Sequence, residues 1–116
     1  MSRKRYIRNW RRTLVTLNNA QFQGALGLAM KAGKVVSGEF QTEKAIKELK
    51  AQLVIVAQDA SGNTRKHFTD MCSFRDIPIT DGPMMEDLGR AIGKEMRSVV
   101  GITDHGFAES IRKKLK

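Results

Sequence analysis

The sequence predicts an α/β protein, a three-layer α/β/α sandwich around a small mixed sheet of about four strands. Three observations carry that expectation. Short β-branched runs alternate along the chain with stretches whose apolar residues recur every three or four positions, the pattern of helices covering both faces of a sheet. Leu53-Val54-Ile55-Val56-Ala57 is uninterrupted and apolar, as a strand buried on both faces must be. Finally, 116 residues suffice for one domain with its own core, and the single cysteine, Cys72, excludes an intrachain disulfide framework or a Cys-based zinc site.

The elements follow in order. Residues 1–17 read as a basic N-terminal arm, and 18–116 as a single α/β/α domain. From Asn18, residues Phe22, Ala25, Leu26 and Ala29 mark a helix with one buried face, closed by Gly33 as a C-cap. Gly24 and Gly27 lower its propensity but permit close packing. Lys34–Ser37 is a short strand. Glu39–Lys50 is the second helix, with Thr42, Ala45, Ile46 and Leu49 turned inward. After the central strand, Asp59–Asn63 is a turn rich in N-cap residues. A third helix buries Phe68, Met71 and Cys72. Ile77–Thr80 forms a strand that Pro78 assigns to an edge or a strand start. Asp81-Gly82-Pro83 is a turn. Met85, Leu88 and Ile92 stripe a fourth helix ending at Gly93. Ser98–Thr103 is the last strand, and Asp104 caps a final helix with Phe107, Ala108, Ile111 and Leu115 inside.

Charge points to the partner. Lysine and arginine number 21 against 12 acids, a formal +9. Arg3, Lys4, Arg5, Arg8, Arg11 and Arg12 place +6 of it in the arm, which has no acid, leaving the body at +3. Such an excess favours a polyanion, nucleic acid before membrane. Two readings of the arm stand: a nucleic-acid tether, or a tail that aids solubility. Tyr6 and Trp10 among the arginines either stack on unpaired bases or, with Ile7, Leu14 and Leu17, form an apolar helix face packed on the domain. No apolar run spans a bilayer and no signal peptide is legible, so the expected compartment is the cytoplasm, which the lone cysteine also suits.

Catalytic chemistry finds no foothold. Gly27…Gly33-Lys34 fails as a phosphate-binding loop: five residues separate the glycines, Val35 stands where a hydroxyl is needed, and the order is helix then strand. His67 and His105 have no ligand pattern and read as solvent-facing helix residues. Cys72 falls on an inward stripe, the place of a structural thiol. No acid/base pair, metal or cofactor is nominated, and neither an enzyme nor a small-molecule substrate is expected.

The start of the second helix is different. With Thr42, Ala45, Ile46 and Leu49 inward, helical geometry sends Phe40, Gln41, Lys44 and Glu48 outward. A ring, an amide and an ammonium therefore cluster beside Gly38. The glycine lets another backbone approach the first N–H groups, whose exposed dipoles attract phosphate. The bland alternative is an ordinary first turn with Phe40 folded over the neighbouring loop.

Residues 24–103 resemble the kink-turn RNA-binding ribosomal protein family, the seven-Ae class of the large subunit, most closely its small bacterial members. The likeness rests on Leu26-Gly27-Leu28-Ala29-Met30-Lys31-Ala32-Gly33-Lys34, on Gly38–Ala45 followed by Leu53–Asp59, and on Asp87-Leu88-Gly89-Arg90-Ala91-Ile92-Gly93. In that family a Gly-x-Asn-Glu-x-x-Lys motif at this helix start reads the sheared G·A pairs of a kink-turn, and the loop before the late helix covers a flipped-out base. The resemblance implies RNA-binding roles for Lys34, Gly38, Glu39, Phe40, Gln41, Lys44, Gly82, Pro83 and Met84. Gly38 and Lys44 match the motif. Gln41 replaces its Glu without the charge. Phe40 replaces its Asn, and can stack but not hydrogen-bond. The expected function is non-catalytic recognition of a kink-turn or internal-loop RNA, with the ribosome among the expected partners. The alternative is a structural ribosome-associated or assembly component docking mainly through its arm.

Overall fold

The structure, a computed structural model, describes residues 20–114. The arm, Asn18 and Asn19 of the expected first helix, and Leu115 of the expected last one lie outside them. Helix α1 occupies residues 20–31 within this range. It is followed by β1 (Val35–Ser37), α2 (Glu39–Lys47), β2 (Leu53–Val56), α3 (Gly62–Phe74), β3 (Ile79–Asp81), α4 (Met85–Ala91), β4 (Val99–Ile102) and α5 (His105–Lys114). The strands form one mixed sheet in the order β1-β4-β2-β3, with β4 antiparallel to β1 and β2, and β2 parallel to β3.

Side-chain alternation along β2 builds the three layers. Leu53 and Ile55 point to one face, where they meet Phe22, Leu26 and Ala29 of α1, Leu88 of α4, and Ala108 and Ile111 of α5. Val54 and Val56 point to the other, against Ala45 and Ile46 of α2 and Phe68 and Cys72 of α3. All four β2 residues are buried, as the uninterrupted run requires. Full burial of such side chains stabilises by about 1.5–3 kcal/mol each. Gly101 thins β4 under α2, where a methyl group would meet Val36 and Thr42.

Three expectations need correction. Leu49 does not face the core. Helix α2 ends at Lys47, and Leu49 stands 67 % exposed with φ 60°. Strand β3 begins two residues late, because the Ile77 N–H donates back to Cys72 of α3 (2.9 Å), although the Pro78 carbonyl already accepts from Val54 (2.9 Å). It does hold an edge, as Pro78 suggested. Of the two α1 glycines, only Gly27 serves close packing: a methyl there would stand 3.4 Å from the Ala91 carbonyl, whereas a methyl at Gly24 would meet nothing among the described residues.

Candidate nucleic-acid interface

The strand registers gather one end of the sheet. Ser37 pairs with Val100, Val99 with Val56, and Val56 with Asp81. The start of α2, the segment before β4, the turn before α3 and the segment before α4 therefore share that end. Lys34 precedes β1 at the opposite end, where its carbonyl accepts from Thr103 (2.9 Å), so it is not brought beside Gly38.

Gly38 anchors the cluster. Its φ of 86° belongs to the left-handed half of the map, where a side chain is strained. In that conformation its N–H donates to the Val99 carbonyl (2.9 Å), fastening α2 to β4. Among the described residues no side chain caps α2, so its first amides keep their capacity for an anion. Helix periodicity then does as expected. Thr42, Ala45 and Ile46 are buried, while Phe40, Gln41 and Lys44 are exposed, Phe40 to 75 %. Phe40 does not fold back over a neighbour.

Glu39 behaves differently from its neighbours. Its Oε2 accepts from Thr64 Oγ1 (3.3 Å) and Ser98 Oγ (3.2 Å). Thr64 also accepts from Ser61 Oγ (3.0 Å), and Ser61 caps α3 through the Thr64 N–H (3.1 Å). Glu39 thus ties the starts of α2, α3 and β4 together.

In the late loop, Gly82 and Pro83 are buried. The Gly82 N–H donates to Val56 (2.8 Å) and the Pro83 carbonyl accepts from Gln58 (3.0 Å). A methyl on Gly82 would crowd Ile55 Cγ2 at 2.5 Å. These two residues brace the loop against β2, and of the three only Met84 offers a side chain to solvent, 45 % exposed. Met85 is half-buried against the core.

Local sequence missed the residues that hold this end together. Asp59, in the turn rich in N-cap residues before α3, accepts from the Met85 N–H (2.7 Å) and so caps α4. Arg65 pairs with Asp81 and donates to the carbonyls of Ala57 (3.0 Å) and Gln58 (3.2 Å). The segment 94–98 runs beside α2 through Ser98 and carries Met96, 57 % exposed, while the Arg97 N–H donates to Met85 (3.1 Å). An exposed methionine followed by arginine was the available signal.

His67 is exposed, 3.7 Å from Glu43, whose carboxyl is held below its ordinary range chiefly by a hydrogen bond from Lys47. Burial pushes the Cys72 thiol up to about 11, which leaves it protonated and unreactive at neutral pH. Among the described residues no group of His, Cys, Asp or Glu could hold a metal ion, and no helix is long and apolar enough to cross a membrane.

Comparison with known proteins agrees with this architecture. The chain is 48 % identical over 86 residues to the RNA-binding protein YlxQ of Bacillus subtilis, covering 74 % of this chain and 86 % of that one. It is 32 % identical over 88 residues to the large ribosomal subunit protein eL8 of Cenarchaeum symbiosum, covering 75 % and 70 %. A solved protein of unknown function from Bacillus halodurans superposes with a TM-score of 0.80 at 36 % identity, covering 83 % of this chain and 97 % of that one. The Giardia lamblia 15.5kD RNA binding protein shares the fold, with a TM-score of 0.72 at 20 % identity over 84 % of each chain. The model of the ribosomal protein L7Ae/L30e/S12e/Gadd45 family matches residues 20–112, and the chain belongs to that family.

Proposed function

We propose that this protein binds structured RNA without catalysing a reaction, reading a kink-turn or internal loop with the end of the sheet where α2 begins. The observation that carries this reading is the first turn and a half of α2. Phe40, Gln41 and Lys44 stand exposed together beside a glycine at positive φ and a helix start without a side-chain cap among the described residues. The amide of Gln41 donates and accepts at base edges, and the Lys44 ammonium reaches a guanine or a phosphate. Lys44 has no ion-pair partner among the described residues, so its charge is free for a phosphate. The relatives named as RNA-binding and ribosomal proteins support the same reading. Gly38 and Glu39 act as scaffold in it, the latter through its hydroxyl partners, and Met84 and Met96 supply apolar surface on the flanking segments.

Titration of fluorescently labelled kink-turn RNA against a fully paired duplex tests this. Lys44→Ala is expected to weaken kink-turn binding by about 1–3 kcal/mol and to erode the preference over duplex. An unchanged preference would remove the α2 site. The +6 of residues 1–12 supports a second reading, docking on RNA or on the ribosome mainly through the arm, in which Lys44→Ala is silent and arm deletion is not.

A further inference from the structure

Helix α2 presents more than its first turn. With Thr42, Ala45 and Ile46 buried, a rotation of 100° per residue sends Phe40, Lys44 and Lys47 outward together within about 60° of one another. They form one ridge, with Phe40 first, Lys44 about 6 Å further along the axis and Lys47 about 4.5 Å beyond that. A shallow groove bounded by these three and by Glu43 and Glu48 runs along it. The acids do not make the ridge repulsive. Glu43 is 3.2 Å from Lys47 and 3.7 Å from His67, and Glu48 is 3.3 Å from Lys50, so both lie beside cations. Lys44 is unpaired among the described residues, whereas Lys47 meets a phosphate by exchanging Glu43 for it.

Phe40 is distinctive in what it lacks. The other exposed phenylalanine, Phe74, has the Arg75 guanidinium 5.3 Å over its ring. Phe68 is buried and meets the His67 ring edge-on at 5.1 Å. Among the described residues no ring or cation covers Phe40, and it packs against neither core cluster. A largely exposed aromatic ring followed along one line by two ammonium groups matches a nucleic-acid strand, a base plane followed by phosphates.

We propose that the ridge Phe40–Lys44–Lys47 is a single-strand track: the Phe40 ring stacks on an unpaired base of the RNA, and Lys44 and Lys47 hold the phosphates of the strand leaving it. This rests on the RNA-binding reading and narrows it to RNAs with an unpaired, unstacked nucleotide at the α2 start. A phenyl ring has no donor or acceptor for a base edge, so Phe40 selects for an available base face, whatever the base identity.

The test uses the full chain and an internal-loop RNA in which each unpaired nucleotide is made abasic in turn. Phe40→Leu, at an exposed position, keeps apolar bulk and removes the ring. It is expected to weaken intact RNA by about 5- to 140-fold, the range of one base–aromatic stack. One abasic position should weaken the wild type by a similar factor, with no additional loss in Phe40→Leu. Phe40→Trp should retain affinity. Lys44→Ala and Lys47→Ala should each reduce the slope of log affinity against log salt by about 0.7. Wild-type affinity in Phe40→Leu, full abasic sensitivity persisting in that variant, or salt slopes unchanged in both lysine variants would overturn the track. In those cases a retained preference of the wild type for internal-loop RNA over duplex leaves the broader function standing, and loss of that preference overturns both.

Discussion

Gly89 shows how much a single side chain, or its absence, decides here. It lies buried on α4, and the backbone of Glu95 and Met96 crosses directly over it, so that a methyl group would overlap the Glu95 carbonyl. The obstacle is main chain and cannot rotate away. Gly89→Ala is therefore expected to destabilise by about 1–3 kcal/mol, the range for overpacked cores, or more. The midpoint of urea unfolding measures the loss. The same variant should push the segment 94–98 off α4 and lower RNA affinity at temperatures where the protein is still folded. Unchanged stability would overturn the tight crossing of 94–98 over Gly89. Gly24, with nothing in reach of its Cβ, is the natural control, since alanine there should be neutral or stabilising.

At the scale of elements, four helices stop in one way. After α1, Gly33 donates to Met30 and Lys34 to Ala29; after α2, Leu49 to Ile46 and Lys50 to Ala45. After α3, Asp76 donates to Ser73 and Ile77 to Cys72; after α4, Gly93 to Arg90 and Lys94 to Gly89. Each pair is the double bond of a Schellman close, with the first-named residue at positive φ. Two of the four positions are glycine, and both of those helix ends were legible in the sequence. The other two are Leu49 and Asp76, residues that rarely adopt φ of 60° and 56°. Leu49 misled because its spacing continued the inward stripe of Thr42, Ala45 and Ile46, while its backbone had already left the helix. Being 67 % exposed, it loses little burial on truncation. Leu49→Gly is accordingly expected to stabilise by about 0.5–1 kcal/mol, relief of left-handed strain outweighing the entropy glycine gains on unfolding. Thermal unfolding of the variant decides the sign, and a lower midpoint would contradict the account.

The whole molecule assembles its candidate site by topology. The outward face of α2 was readable because a buried stripe of known period leaves one place for Phe40, Gln41 and Lys44. The partners of that face were not readable. Ser98 reaches Glu39 from 59 residues away because β4 inserts between β1 and β2, an order that no local pattern encodes. Arg65 and Asp59 are likewise set by which strand ends meet, as is the bracing of the late loop from within by Gly82 and Pro83. Charge divides on the same scale. The body carries +3 and residues 1–12 carry +6, and the proposed function accordingly weights long-range attraction to the arm and shape recognition to the sheet end. Deleting residues 1–12 should weaken kink-turn and duplex RNA by the same factor and leave their ratio unchanged. If each of the six cations neutralises one phosphate, the slope of log affinity against log salt should fall by about 4 to 5. Lys44→Ala should do the reverse, changing the ratio while moving the slope by less than 1. Affinities of both RNAs at four salt concentrations for the two variants separate the contributions. A ratio that collapses on arm deletion would transfer recognition from α2 to the arm, because charge screened by salt acts on every phosphate alike and cannot discriminate between folded RNAs.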